Sequence, residues 1–190
     1  LKNIENILST KVFFILSIIF LIFFTRVGYW NLITVGGMDE ITYLLAGREI
    51  LNGKVPYLDF WEVKPPVAFL PYVFANIFEN QILSIRIIGF LIIVLCSYLI
   101  FKQLLKLTNI FNAKIITIVF VILNSQQQFQ NISLTIFIYP LLLVISHYLL
   151  FGERKKVDYF ILGFCVSLIC LIRPNFYSLV FGIIFIIFIY

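Results

Sequence analysis

Between Lys11 and Arg26 stand fourteen uncharged, mostly apolar residues, and runs of this kind recur to the end of the chain. With its apolar flanks the first becomes residues 7–33, followed by 82–101, 113–124, 132–150, 159–172 and 176–190. A helix crossing a bilayer needs about 20 predominantly apolar residues. Segments 7–33 and 82–101 meet that length, 113–124 is short, and 132–150 carries Pro140, which membrane helices tolerate where neighbouring groups re-satisfy the freed backbone. Composition agrees. Of 190 residues 62% are apolar and 12% charged, against roughly 45–50% and 25% in soluble domains. At a mean hydropathy of +1.08 there is too little polar surface to cover such a chain in water. A soluble globular domain, a disordered chain and a disulfide scaffold are thereby excluded, and the expected fold is an all-α polytopic membrane protein of about five to six spans.

The ends of the chain carry two further expectations. A basic start followed by an apolar core also describes a cleaved signal peptide, but no small-x-small cleavage pattern follows and more apolar segments do, so 7–33 reads as a retained helix. The chain begins with Leu1 and stops at Tyr190 inside an apolar run. A helix stopping within lipid would leave carbonyls unsatisfied, so the chain is expected to be the N-terminal part of a longer transmembrane domain.

Charge orients the spans. Lys2 and Lys11 precede the first; Lys102, Lys106 and Lys114 lie between the second and third; Glu153, Arg154, Lys155, Lys156 and Asp158 lie between the fourth and fifth. These share one side. The other side holds the long polar loop, 26–81, and the head of the second span. There five basic residues (Arg26, Arg48, Lys54, Lys64, Arg86) face six acidic ones (Asp39, Glu40, Glu49, Asp59, Glu62, Glu79). Because Lys and Arg concentrate in cytoplasmic loops, the N-terminus is expected in the cytoplasm and the loop outside, with Gln126, Gln127, Gln128, Gln130 and Arg173 at the outer face. The net charge of +5 therefore reports topology, and nucleic acid is not an expected partner. Cys96, Cys165 and Cys170 lie inside apolar runs, where thiols behave as small hydrophobes. The single histidine, His147, cannot build a metal centre alone; inside a span it is a functional suspect, though a hydrogen bond to a neighbouring helix explains it equally well.

Chemistry concentrates in the outer loop. Gly36-Gly37-Met38 leads into residues 39–53, read as a short amphipathic helix with Asp39 at the N-cap, Glu40 in the first turn and Gly53 at the C-terminal stop. Ile41, Leu44, Leu45 and Leu51 fall near a face suited to the membrane interface; Asp39, Tyr43 and Ala46 fall on another. Capping alone accounts for Asp39, but capping and catalysis are compatible, since a helix N-terminus holds carboxylates ionised. Beyond Gly53, prolines stiffen the chain, and Tyr57, Phe60 and Trp61 are types that settle at headgroup level or stack on sugar rings. Pro65 and Pro66 then open a helix over 67–78, too short to span and expected to be interfacial or re-entrant.

The succession Asp39-Glu40, Tyr43, Ala46, Gly53-x-x-Pro56-Tyr57-x-Asp59-Phe60 and Glu62-x-Lys64-Pro65-Pro66 resembles the first external loop of the C-type-fold membrane glycosyltransferases. It is most similar to the bacterial branch of protein mannosyltransferases, lipid A aminoarabinose transferases and rhizobial lipopolysaccharide sugar transferases. Arg86-Ile87-Ile88-Gly89 also fits, and Arg173-Pro174-Asn175 fits more loosely. The family more often has aspartate where Glu62 stands.

The resemblance implies an integral-membrane enzyme that moves a sugar from a polyprenyl-phosphate-linked donor to a cell-envelope glycan, lipid or protein acceptor at the outer face of the bacterial cytoplasmic membrane. It makes the early acid, Asp39 with its neighbour Glu40, the catalytic pair, and implies inversion at the anomeric carbon. The residue chemistry suits this: a base must take the acceptor's proton, and cations must hold the phosphate as charge accumulates, for which Lys64, Arg86 and Arg173 are candidates. Tyr43, Asp59 and Glu62 complete the expected substrate-binding set. Each cation also has an ordinary explanation: Arg86 can snorkel from a helix end, Arg173 can mark a boundary, and Lys64 can pair with Glu62 or Asp59. No cofactor is certain; Asp39-Glu40 could steady a divalent metal but supplies few ligands. A transporter or flippase of lipid-linked sugars is the rival class, disfavoured by the absence of internal repeats and of midplane charges. A non-catalytic membrane subunit is a third.

Overall fold

The computed structural model describes residues 2–25, 38–61, 64–124, 132–178, 181, 182 and 185, with the backbone alone for 2–11 and Met38. Over these the chain is all-α. Helix α1 spans Lys2–Thr25, α2 Met38–Leu51, and a 3-10 turn at Pro66–Phe69 runs into α3, Leu70–Ala75. Then come α4, Gln81–Leu107; α5, Ile110–Asn124; α6, Thr135–Phe151; and α7, Lys156–Ile172, followed by a 3-10 turn at Pro174–Phe176.

Among the described residues α4 is the helix long and apolar enough to cross a membrane. At 1.5 Å per residue its 27 residues extend about 40 Å, against about 30 Å of hydrocarbon. Its start is fixed by Asn80, whose side chain accepts from the Leu83 N–H at 3.0 Å, satisfying one orphan donor of the first turn. The helix outruns the expected 82–101 because lysines enter at Lys102 and Lys106 without breaking it. Shorter apolar helices lie at Val12–Thr25, Ile110–Asn124 and Thr135–Phe151. Of the expected 176–190 segment, most lies outside the described residues.

Large apolar side chains lie on the outer faces of the helices as well as the inner ones, and α4 and α5 bury small and polar residues among their apolar ones. In α5 the buried face is Ala113, Thr117, Val121 and Asn124, while Ile115, Ile116, Val119, Ile122 and Leu123 face outward. Helix α4 buries Arg86, Gly89, Cys96, Ser97 and Gln103 and exposes Ile87, Leu91 and Leu95. In α1 a narrow stripe of Phe14, Ile18 and Ile22 is buried, and Phe13, Leu16, Phe20, Phe23 and Phe24 are exposed. A helix apolar on every side has no face that prefers water.

Contacts set the directions. Phe14 of α1 meets Phe101 near the far end of α4, with ring centroids 4.7 Å apart, and Lys114 of α5 lies 5.4 Å from the Phe14 ring centroid. A turn at Thr108-Asn109 reverses the chain into α5, and the Asn109 side chain accepts from the Asn112 N–H at 2.9 Å. Helix α6 runs alongside α4, joined by the Gln103 amide donating to the Leu143 carbonyl at 2.8 Å. Helix α7 returns antiparallel to α6, its start fixed by the Lys155 N–H donating to Asp158 Oδ2 at 3.1 Å. One end of the bundle therefore gathers Lys102, Lys106, Lys114 and residues 153–156. The opposite end gathers α2, α3, Arg86, Thr135 and Arg173.

Candidate functional site

Helix α2 opens the site. It begins by Met38, so Asp39 stands in the first turn with Glu40, one step inside the cap position expected for it. Helix boundaries shift by a residue or two with definition, and in either place the carboxylate lies at the positive end of the helix dipole. The other end stops where expected: Gly53 takes φ +85°, a left-handed conformation that suits glycine after a helix, and its N–H reaches the Ile50 carbonyl at 2.9 Å.

Of the residues expected at the membrane interface, Leu44 instead joins the face that α2 turns inward. Glu40, Tyr43, Leu44, Ala46 and Gly47 are buried, whereas Leu45 and Leu51 are exposed. Gly47 explains the choice. A Cβ there would lie 2.7 Å from the Tyr72 carbonyl carbon and 2.8 Å from the Val73 nitrogen, closer than packed atoms tolerate. Glycine lets the α2 and α3 backbones touch. Asn76, at the end of α3, secures the contact by donating to the Leu44 carbonyl at 2.9 Å and the Tyr72 carbonyl at 2.7 Å. The expected helix at 67–78 is thus a 3-10 turn plus one short helix held against α2.

Docking α2 in this way carries Glu40 into the interior. Arg86 Nε donates to Glu40 Oε1 at 3.2 Å, and the two side chains are 3% and 1% exposed. Oε2 is buried with no hydrogen-bond partner among the described residues. Burial pushes the Glu40 carboxyl above its ordinary range; the Arg86 charge, the hydrogen bond from Arg86 and, most weakly, the Ile132 backbone act in the opposite direction. The sign follows from the physics: desolvating a charge is costly, and one contact to Oε1 does not repay it in full.

The turn before α6 joins this pair to the rest of the site. Buried Tyr72 donates its hydroxyl to the Ile132 carbonyl at 2.7 Å. Tyr43 packs beside it, with ring centroids 5.3 Å apart, and Phe69 lies 6.0 Å from Tyr43. Three residues after Ile132, Thr135 accepts a hydrogen bond from Arg173 Nη1 at the end of α7.

The structure therefore brings together Glu40, Tyr43 and Arg86, and places Arg173 against the same 132–135 turn. Asp39 is exposed beside Glu40. Asp59 has a local role: its Oδ2 accepts from the Val55 N–H at 2.7 Å, closing the turn in which Pro56 bridges Phe60. Lys64 is partly buried, and its carbonyl accepts from the Tyr57 hydroxyl at 2.5 Å. Glu62 and Gln126, Gln127, Gln128 and Gln130 lie outside the described residues. No group of three or more His, Cys, Asp or Glu side chains able to hold a metal gathers among the described residues. Sequence reasoning missed Tyr72, Asn76 and Thr135. For Tyr72 a signal was present, since a tyrosine amid an apolar helix usually has a partner for its hydroxyl.

No family model matches the chain, and no curated protein or solved structure matches it.

Proposed function

We propose that the chain is part of a polytopic membrane glycosyltransferase that takes a sugar from a polyprenyl-phosphate carrier. The observation that carries this reading is the division of labour between two adjacent acids: Glu40 buried against Arg86, Asp39 exposed beside it. Glu40 is the positioning residue that fixes the first turn of α2. Asp39 is the catalytic base.

Membrane embedding is supported by the outward-facing Phe, Ile and Leu of α1, α4 and α5, with small and polar residues among the inward ones of α4 and α5, an arrangement suited to helices packing in lipid. The described Asp, Glu, Lys and Arg side chains sit toward the two ends of the bundle, where a bilayer places them most cheaply. The basic end faces the cytoplasm in this reading and α2 faces outward.

In the reaction, Asp39 accepts the proton of an acceptor hydroxyl while that oxygen attacks the anomeric carbon. The bond from this carbon to the phosphate oxygen breaks, and the electron pair leaves with polyprenyl phosphate. Attack opposite the leaving group inverts the centre. Arg173, partly exposed, and Lys64 hold the phosphate as its charge grows. Arg86, turned to Glu40, acts through the architecture of α2.

The test is incubation of the full-length protein in proteoliposomes with a polyprenyl-phosphate sugar labelled in the sugar. Release of polyprenyl phosphate with label recovered on an acceptor is expected. Movement of intact donor across the bilayer without cleavage of the sugar–phosphate bond would show a flippase instead.

A further inference from the structure

At the basic end of the bundle a groove of about 200 Å³ opens between α4 and α6. Its polar lining is Lys102, Gln103, Lys106, His147 and Tyr148, and its aliphatic lining is Leu99, Leu143 and Val144. The two lysines are one helical turn apart, so both side chains fall on the same face of α4. Among the described residues neither has an ion-pair partner; the nearby acid Glu153 is paired with Lys155. Lys106 rests over the Phe151 ring, 4.5 Å from its centroid, and Lys102 lies 6.0 Å from the Tyr98 centroid. Aromatic faces steer these ammonium groups without neutralising them.

The groove floor is built. Gln103 donates to the Leu143 carbonyl at 2.8 Å, and the Ser146 hydroxyl donates to Gln103 Oε1 at 2.9 Å. This knot crosses from α4 to α6 beside the groove and sets the spacing of its walls. The gradient along the groove, cations at the helix end and aliphatic side chains toward the bundle middle, matches that of a phospholipid entering from the adjacent leaflet. Its volume is below the roughly 300 Å³ at which enclosed small-molecule pockets begin, which suits a headgroup whose tails remain in the bilayer.

The geometry points to a binding site for an anionic phospholipid in the α4–α6 groove, with Lys102 and Lys106 holding the headgroup phosphate and Leu99, Leu143 and Val144 contacting the start of an acyl chain. Cationic pockets between membrane helices recognise such headgroups. The site lies at the end of the bundle opposite Asp39 and needs only that these helices stand in a bilayer. Its failure would leave the proposed reaction untouched, and the converse also holds.

The test uses the full-length protein in nanodiscs of phosphatidylcholine doped with phosphatidylglycerol. Affinity for phosphatidylglycerol should fall about fivefold for each lysine removed, so about 25-fold in Lys102→Gln/Lys106→Gln. Lys114→Gln/Lys156→Gln removes the same charge outside the groove and should have little effect. Equal losses in both pairs would mean unspecific attraction to the surface and would overturn the site. A second readout needs no variant: phosphatidylglycerol with a photoreactive acyl chain should label residues 143–148 several-fold more than the phosphatidylcholine analogue. Equal labelling would also overturn it. Inorganic phosphate should not compete at matched concentration; full competition would identify a soluble-anion site and reject the lipid.

Discussion

Arg86 Nε lies 3.2 Å from Glu40 Oε1, joining residues 46 positions apart in a region where neither side chain meets water. The pair ties α2 to the first turns of α4 and leaves Asp39 as the exposed member of the acidic doublet. Removing Arg86 would strand a buried carboxylate, at a cost of about 3–5 kcal/mol. Burial already holds the Glu40 pKa up, so the folded chain keeps that proton to a higher pH than the unfolded chain. The stability this proton contributes is complete below the ordinary carboxylate range and is lost as pH rises through the raised value. Without Arg86 the pKa rises further. Arg86→Gln should therefore be most damaging near neutrality and recover as pH falls, in unfolding midpoints measured from about pH 4 to pH 8. Glu40→Gln/Arg86→Gln should lose that pH dependence and regain stability at neutral pH. A penalty in Arg86→Gln that does not change with pH would contradict the account.

Gly47 is a packing requirement. Alanine there must displace the α3 backbone, since its Cβ would stand 2.7 Å from Tyr72 and 2.8 Å from Val73. Gly47→Ala should cost about 1–3 kcal/mol, against the small gain usual for this substitution in a helix. An unchanged thermal midpoint would show that α2 does not pack on α3 so closely.

Two tyrosines separate buried from exposed hydrogen bonds. Tyr72→Phe leaves the buried Ile132 carbonyl without its 2.7 Å partner and should cost about 1–3 kcal/mol. Tyr57→Phe removes a bond in an exposed turn, where water substitutes, and should stay within about 0.5 kcal/mol. Denaturant titration of both variants checks the order; equal costs would reject it.

How much of this was legible in the sequence differs from residue to residue. The helices follow from apolar runs, and the Gly53 stop and the acidic start of α2 follow from local chemistry. On α2 the pattern grouped Leu44 with Leu45 and Leu51, because hydropathy does not distinguish an apolar residue facing protein from one facing outward. Leu45 and Leu51 are exposed, while Gly47, with no side chain, is buried by a close approach. The partner of Arg86 was hidden for another reason. A pattern along one helix gives a face, but the residue opposite depends on how two distant helices dock. Tyr72 and Ile132, 60 positions apart, were hidden likewise.

The turn after α2 presents Leu58 and Trp61, 83% and 86% exposed. In a membrane protein such tips settle at the headgroup level. In a full-length protein with every other tryptophan replaced by Phe, Trp61 should fluoresce at blue-shifted wavelength in vesicles and be quenched by lipids brominated near the headgroup. Emission typical of water, with no quenching, would place the turn away from the bilayer.

The most direct measurement is the turnover number for sugar transfer by full-length Asp39→Asn, alongside its unfolding midpoint. Asparagine preserves size and leaves Glu40 and Arg86 paired but cannot accept the proton. The account predicts a loss of about 100-fold or more with the midpoint unchanged. Transfer at the wild-type rate by a folded Asp39→Asn protein would contradict it.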